Sequence, residues 1–163
     1  MAQTAVETPF RTILRKEESY AIHALIYAAE NPGAAAAKIA RDLHMPAAFL
    51  AKVLRRLAQA EYVLNRQGRN GGVTLNIDPS KVSLLDVIET VSGPLIVDTC
   101  QTKTRCPTQQ RKGHCRLNVA WIGTSLAIRE VLDGVQLSQL IDDSETPALG
   151  SAKAGNGRMS AEA

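Results

Sequence analysis

The hydrophobic positions near the start of this chain recur at three- and four-residue steps, the spacing of an amphipathic helix. The first such stretch covers 13–30 and ends at Asn31-Pro32-Gly33, which stops a helix. A short second helix is predicted over 34–43. A third begins at Pro46, a residue that suits a first helical turn, and runs to about residue 60. The pattern therefore predicts three closely spaced helices.

The pattern then changes to two short strand-like runs. Tyr62-Val63-Leu64 and Val73-Thr74-Leu75 flank the sequence NRQGRNGG, whose glycines and Asn-Gly pair favour a tight turn. These residues predict a β-hairpin that carries Arg66 and Arg69 at its tip. A glycine-rich phosphate-binding loop is the rival interpretation, but no Lys-Ser/Thr pair and no helix start follow the glycines.

Two more helices are predicted after the hairpin. Ser83 has the character of an N-cap, with Asp86 three residues later, and that helix ends at Ser92-Gly93-Pro94. The last helix covers 117–133 and has two apolar stripes, so it needs a partner surface beyond its own domain. One stripe contains Leu117, Trp121 and Ile128, which we assign to a dimer interface, and the other contains Val119, Ile122 and Leu126.

Length and composition narrow the class of protein. The chain has 163 residues, enough for one domain or one small domain with an extension, and only 4% of them are aromatic. Residues 1–11 lack the apolar region of a signal peptide, and no apolar run approaches the roughly 20 residues that cross a bilayer. We therefore expect a cytoplasmic protein without a membrane partner, whose thiols stay reduced.

Basic residues are concentrated in one part of the chain. The net charge is only +3, but 38–69 contains seven basic and two acidic residues, which suggests a polyanionic partner. Two short helices, a break at His44-Met45 and a basic outer face describe a helix-turn-helix, although an ordinary antiparallel helix pair has the same pattern. A basic hairpin directly after the second of these helices favours the DNA-binding interpretation, because such a wing reaches phosphates or a minor groove. The residues predicted to contact DNA are Ala48, Phe49, Lys52, Arg55, Arg56, Arg66, Arg69 and Asn70.

All three cysteines lie in the stretch VDTCQTKTRCPTQQRKGHC, residues 97–115, with five and eight residues between them. The stretch has few large apolar residues and contains Pro107 and Gly113, so it is predicted to be a loop. Three soft thiolate donors on one loop suit an iron–sulfur cluster or zinc. The alternative is three unrelated structural thiols, but buried structural cysteines normally lie on apolar faces.

The winged unit and the cysteine loop together resemble the Rrf2 family of bacterial transcription regulators. The resemblance covers 13–141, and the segments that carry it are Tyr20-Ala21-Ile22, FLAKVLRRL at 49–57, GRNGG at 68–72, VSLLDVI at 82–88 and SGPL at 92–95. It implies a mainly α protein with a small β-hairpin wing, that is, a winged helix-turn-helix domain plus a long dimerisation helix. Such a protein is a homodimeric repressor or activator on a double-stranded DNA operator, not an enzyme.

The resemblance also implies a role for the thiols. In cluster-binding members three cysteines, placed before the long helix, hold an iron–sulfur cluster that senses iron, nitric oxide or redox state. This implies that Cys100, Cys106 and Cys115 are the ligands, with [2Fe–2S] favoured over [4Fe–4S]. The fourth ligand varies in the family, and the candidates in this chain are Glu18, His44 and His114.

Two other functions remain open at this stage. Zinc accepts three cysteines and a histidine, so a DNA-binding regulator with a zinc or bare-thiol redox sensor is the alternative. A small redox enzyme or cluster carrier is disfavoured, because the chain has no Cys-x-x-Cys and no nucleophile–base pair stands out. The predicted domains are a flexible N-terminus (1–12), the winged domain (13–95), the cysteine loop (96–116), a dimerisation helix with a docking segment (117–141) and a disordered tail (142–163).

Overall fold

The computed structural model describes residues 12–66, 71–103 and 106–141. The predicted wing tip, with Arg69 and Asn70, and the predicted disordered tail lie outside the described residues. The elements follow in the order α1 (Lys16–Glu30), α2 (Ala36–Asp42), α3 (Ala47–Gln59), β1 (Val63–Asn65), β2 (Val73–Leu75), α4 (Leu84–Ser92), α5 (Pro107–Lys112), α6 (Arg116–Asp133) and α7 (Ser138–Ile141). The predicted helices and hairpin are confirmed, and most of their ends move by one to three residues.

The core of the molecule lies among α1, α3 and α4. α1 presents small side chains such as Ala24, which lets its neighbours approach closely, and Leu25 is fully buried between them. α3 contributes a buried stripe that includes Leu50, Leu54 and Leu57 at the three- and four-residue spacing that the sequence predicts. This stripe fixes which face of α3 points to solvent.

The turn between α2 and α3 has the compact form of a helix-turn-helix. His44 adopts a left-handed φ of 52° at the turn, and the Met45 N–H then donates to the Ala40 carbonyl at 2.8 Å. Met45 is buried, whereas the His44 side chain is exposed. The face of α3 that carries Ala48, Ala51, Lys52 and Arg55, its outer face, is therefore exposed to solvent and not covered by α2.

The hairpin is held against the turn that follows α1. β1 and β2 pair antiparallel, with Val63 opposite Leu75. β2 also pairs on its other edge, since the Gly33 N–H donates to the Val73 carbonyl and the Val73 N–H donates to the Ala34 carbonyl, each at 2.9 Å. The wing is therefore attached to the body of the domain by its own backbone.

α4 is capped as predicted and is linked to the C-terminal part of the chain. Ser83 accepts a hydrogen bond from the Asp86 N–H at 3.1 Å, and the Asp86 carboxylate accepts one from the Ser83 N–H at 2.8 Å, which completes a capping box. The Ser83 hydroxyl also donates to Asp133 at the end of α6 at 3.0 Å. Leu137 is fully buried in the core, so the segment after α6 packs back onto the domain.

The prediction of an irregular loop over 96–116 is wrong for most of the described residues. Thr99–Gln101 forms a 3-10 turn, which the Asp98 side chain caps, and α5 follows with Pro107 in its first turn. α5 ends at Gly113, whose φ of 72° is left-handed and favours glycine. Local capping residues build these short elements, although the segment has few apolar residues to bury.

No helix within the described residues is both long and apolar enough to span a membrane.

Candidate DNA interface and cysteine site

The outer face of α3 is small and basic. Ala48, Ala51, Lys52 and Arg55 are all exposed on it. Arg55 makes no hydrogen bond or ion pair with any residue that the structure describes. A narrow helix face that offers a basic side chain between alanines can enter a major groove without steric obstruction.

Two residues predicted to contact DNA are instead engaged inside the molecule. The Phe49 ring is half-buried and packs edge-on against Tyr20, with ring centroids 5.3 Å apart. Arg56 is also half-buried, and its Nη1 donates to the Val91 carbonyl at 2.7 Å and to Glu17 Oε2 at 2.8 Å. Both side chains contact α1, and their role in DNA binding stays a prediction.

Glu17 is a partner of two basic residues of α3 that the sequence analysis did not identify. Its carboxylate lies between α1 and α3 and accepts hydrogen bonds from both Lys52 and Arg56, each at 2.8 Å. The hydrogen bond from Lys52 holds the pKa of the Glu17 carboxyl below its usual value, and Arg56 acts in the same direction. The only signal in the sequence was an acidic residue in the first turn of a helix, which also has the simpler explanation of a favourable helix dipole.

The described part of the wing contains one arginine, Arg66. Arg66 follows β1 and is exposed, and its N–H donates to the Gly72 carbonyl at 3.0 Å, which narrows the hairpin toward its tip. An exposed guanidinium at the end of a strand suits a phosphate contact.

The three cysteines are free thiols, and each lies in a helical element or directly before one. Cys100 is in the turn Thr99–Gln101, Cys106 precedes α5 and Cys115 precedes α6. All three are half-buried. They are therefore neither sequestered in the core nor freely exposed.

The surroundings of Cys106 and Cys100 move the pKa values of these two thiols in opposite directions. The backbone N–H groups of Gln109 and Thr108 lower the pKa of the Cys106 thiol, and the nearby Cys115 thiol lowers it further. The Asp98 carboxylate raises the pKa of the Cys100 thiol, and Cys115 contributes to the same rise. Cys115 thus affects the pKa of both other thiols.

α6 holds the first cysteine in place through side chains that the sequence analysis did not identify. The Asn118 amide donates to the Cys100 carbonyl at 3.0 Å, and the buried Ser125 hydroxyl accepts from the Val97 N–H at 2.9 Å. The Gln101 amide also hydrogen-bonds Ser125 at 3.0 Å. The one signal for these contacts in the sequence was Ser125, a serine that lies among the apolar residues of α6.

The candidates for a fourth ligand lie in three different places. His114 is exposed and lines a shallow depression together with Cys115. Glu18 is only 6% exposed, accepts a hydrogen bond from the Arg15 N–H at 2.7 Å, and lines a cavity that reaches Thr99 at the start of the cysteine segment. His44 lies in the turn between α2 and α3.

The donor set is suited to a thiolate-bound cofactor, although it does not form a single-metal site as it stands. In the described ranges 12–66, 71–103 and 106–141, no three His, Cys, Asp or Glu side chains converge closely enough to hold one metal ion. Thiolates are soft ligands that select iron–sulfur clusters, zinc or copper(I). Backbone N–H groups at Cys106 favour the deprotonated form that such ligation requires.

The two apolar stripes of α6 have different surroundings. Trp121 and Ile128 are half-buried, because the Asn118 and Ser125 hydrogen bonds turn that side of α6 toward its own domain. Large apolar side chains on the rest of the helix are exposed to different degrees, namely Leu117 (57%), Val119 (68%), Ile122 (42%), Leu126 (60%) and Val131 (65%). Of the predicted interface residues, Leu117 is thus exposed whereas Trp121 and Ile128 are half-buried, and their assignment to a dimer interface stays a prediction.

The chain was compared with known protein families and structures. The model of the Rrf2 family, described as an iron-dependent transcriptional regulator, matches residues 14–143. Protein aau3 of Rhizobium meliloti is 32% identical over 132 residues, which cover 78% of this chain and 84% of that protein. The HTH-type transcriptional regulator NsrR of Bacillus subtilis is 30% identical over 131 residues, which cover 77% of this chain and 88% of that protein.

A solved structure shows the same fold. T. potens IscR superimposes with a TM-score of 0.63 at 21% identity, over 81% of this chain and 88% of that one. The chain therefore belongs to the Rrf2 family, and it is a winged helix-turn-helix transcriptional regulator, not an enzyme.

Proposed function

We propose that the chain acts as a homodimer on a double-stranded DNA operator, and that an iron–sulfur cluster held by Cys100, Cys106 and Cys115 sets its affinity for that operator. The observation that carries the proposal is the position of three half-buried free thiols in or directly before the helical elements that lead into α6. Cys115 is also the residue from which α6 begins. The description of the family as iron-dependent agrees with a thiolate-bound iron cofactor.

DNA would be bound by α3 and by the wing. α3 would enter the major groove with Lys52 and Arg55, while Ala48 and Ala51 leave room for base edges. Arg66 would contact the phosphate backbone beside it, together with the predicted wing-tip residues Arg69 and Asn70. Two copies would read half-sites about 34–36 Å apart, so the relative placement of the two α3 helices controls simultaneous binding.

α6 would provide both the dimer surface and the connection to the cysteines. An iron–sulfur cluster, when bound, would connect the three cysteine thiolates, and its oxidation, its reaction with nitric oxide or its loss when iron is scarce would change that connection. Asn118 and Ser125 hold the turn Thr99–Gln101 on α6, so a displacement of that turn acts directly on the helix. The exposed apolar stripe of the same helix faces the second copy, which places the cysteine site and the dimer contact on one rigid element.

We favour the cluster over a single zinc ion because the matching family is described as iron-dependent. Zinc remains the alternative metal, since it also accepts three cysteines and a histidine. We favour [2Fe–2S] over [4Fe–4S], with His114 or Glu18 as the fourth ligand. Regulation through bare thiols is the second candidate, and the lowered pKa of Cys106 is the observation that favours it.

The test begins with protein purified without oxygen. Visible absorption with iron and acid-labile sulfide in stoichiometric amounts supports the cluster, whereas a colourless protein with stoichiometric zinc supports a zinc site. A colourless protein without metal leaves the thiol sensor.

The operator is then selected from random DNA with the cluster-loaded and the cluster-free protein, and both forms are titrated with it at one salt concentration. We expect their affinities to differ by roughly 5- to 150-fold, the usual range of allosteric coupling. Cys106→Ala should abolish cluster binding and retain the affinity of the cluster-free form. Gln110→Ala, an exposed position on α5, is the matched control and should behave as wild type. Equal affinities for all forms would contradict regulation by the cluster even if the protein is coloured.

A further inference from the structure

We propose that Arg56 is a positioning residue and not a DNA contact, and that it transmits changes at the cysteine segment to α3. The inference rests on the proposed function, since it concerns how that segment alters DNA binding. It assigns different roles to two consecutive arginines, Arg55 and Arg56, of the helix that enters the major groove.

Arg56 joins three helices through one guanidinium group. From α3 it donates to the Val91 carbonyl in the last turn of α4 at 2.7 Å and to Glu17 in the first turn of α1 at 2.8 Å. The last carbonyls of a helix have no partner within the helix, so Arg56 supplies one for α4. Its positive charge is also favourable at that end of the helix dipole.

The same turn of α4 contacts Leu95, the residue that leads into the cysteine loop, and Arg129 of α6. Glu89 Oε1 accepts a hydrogen bond from the Leu95 N–H at 2.9 Å, where the chain leaves α4 toward the cysteines. The Glu89 carboxylate also forms an ion pair with Arg129 of α6. Leu95, which directly precedes the cysteine loop, and the helix that begins after Cys115 therefore both contact α4 at Glu89, two residues from Val91, the contact of Arg56.

A displacement at the cysteines thus has a short physical route to α3. Glu89 and Val91 lie in the same helical turn of α4, about 3 Å apart along its axis. Arg56 holds α3 to that carbonyl, and Glu17 holds the guanidinium from the other side. Movement of the last turn of α4 is consequently passed to α3, whose outer face would lie in the groove.

Arg55 offers a matched control on the same helix. It is exposed and has no hydrogen-bond or ion-pair partner in the described part of the chain. Arg55→Met and Arg56→Met remove the same charge from consecutive positions, so their DNA-binding curves separate contact from positioning.

The experiment compares wild type, Arg55→Met and Arg56→Met in the cluster-loaded and cluster-free forms, each titrated with the selected operator over a series of salt concentrations. A lost phosphate contact lowers the slope of log K against log salt by about 0.9. Arg55→Met removes a predicted contact in the major groove and should lower the operator affinity of both forms by roughly 5- to 150-fold. Arg56→Met should retain the wild-type slope, but the ratio of loaded to cluster-free affinity should fall to within about twofold of one. Arg55→Met should keep the wild-type ratio.

A second variant acts at the other end of the route. Arg129→Met breaks the ion pair with Glu89, far from the predicted DNA contacts, and should reduce the affinity ratio without changing the salt slope. Because Arg129 is not on α3, this variant tests the inference even if Arg56→Met does not fold. Amide hydrogen exchange of the cluster-free protein adds a readout that needs no cofactor. Arg56→Met should speed exchange in both α3 and the last turn of α4, whereas Arg55→Met should not.

The outcomes distinguish this inference from the proposed function. A wild-type protein with equal affinity in both forms contradicts the proposed function and this inference together. A wild-type protein that responds, with Arg56→Met and Arg129→Met responding equally, contradicts this inference alone. A lower salt slope in Arg56→Met would also overturn it, because Arg56 would then be a phosphate contact.

Discussion

Single residues of one type behave differently in this protein because of the groups that face them. Cys106 precedes a helix, and the N–H groups of that helix stabilise its thiolate, which lowers its pKa. Cys100 lies beside the Asp98 carboxylate, which destabilises a second negative charge and raises the pKa of that thiol. The basic residues around both cysteines do not reveal this difference, because it arises at hydrogen-bonding distance.

The first prediction concerns the reactivity of these two thiols in reduced, metal-free protein. Only the thiolate is alkylated, so the rate for Cys106 should rise at lower pH than that for Cys100, and Cys106 should react faster near neutral pH. Iodoacetamide labelling over a pH series, read by mass spectrometry, measures both rates, because trypsin cleaves after Lys103 and Arg105 between them.

Asp98→Asn provides the control for this prediction. The N–H of Cys100 holds the pKa of Asp98 below its usual value, so the carboxylate is charged throughout the labelling range. Asparagine keeps an oxygen that can accept from that N–H but removes the charge. The curve for Cys100 should therefore move to lower pH, and that for Cys106 should stay. A Cys100 curve that does not move would show that Asp98 is not the cause.

At the scale of elements, the wing depends on close backbone packing rather than on a core of its own. A Cβ atom at Gly72 would lie 2.0 Å from the Gly33 carbonyl oxygen, in the turn that follows α1. That closeness allows the neighbouring Val73 to exchange backbone hydrogen bonds with Gly33 and Ala34. Glycine is required at this position because no other residue leaves room for the contact.

We therefore predict that Gly72→Ala detaches the wing from the turn after α1. Overpacking of this kind typically lowers the free energy of unfolding by about 1–3 kcal/mol. Thr74→Ala, at an exposed position on the same strand, should change it by only about 0.5 kcal/mol. Urea denaturation followed by circular dichroism measures both variants. If the two variants are equally stable, the packing of Gly72 on Gly33 does not hold the wing.

At the scale of the whole molecule, α6 exposes more apolar surface than a single copy uses. Val119 is 68% exposed and Leu126 is 60% exposed, and with Ile122 they form one apolar stripe along α6. Contiguous apolar surface of this kind marks an interaction site. A second copy of the chain would cover it by packing the two α6 helices together.

A charge in this stripe should dissociate the dimer. Leu126→Glu would bury an unpaired carboxylate at the contact, so we expect monomers at concentrations where wild type is dimeric. Ala120→Glu places the same charge on an exposed position of α6 outside the stripe and should leave the dimer intact. Sedimentation velocity measures both. A dimeric Leu126→Glu protein would move the interface away from this face, toward Trp121 or another surface.

Much of this protein is determined by patterns that are local in the sequence. The apolar spacing gave the helices, the Ser83–Asp86 capping box gave the start of α4, and the glycines between β1 and β2 gave the hairpin. The succession of these elements was enough for the winged helix-turn-helix fold. The clustering of all three cysteines is likewise a property of the sequence, because a short segment keeps its residues near one another whatever its conformation.

The tertiary structure decided which side chains of those elements face one another. Arg55 and Arg56 are identical in type, yet only Arg56 meets Glu17 and Val91, which are 39 and 35 positions away. Ser125 holds the turn of Cys100 from a helix 28 positions beyond Val97. The spacing of apolar residues defines a helix face only to within a broad arc, whereas these hydrogen bonds depend on the rotation and separation of packed helices. That geometry comes from the core as a whole, and no single segment contains it.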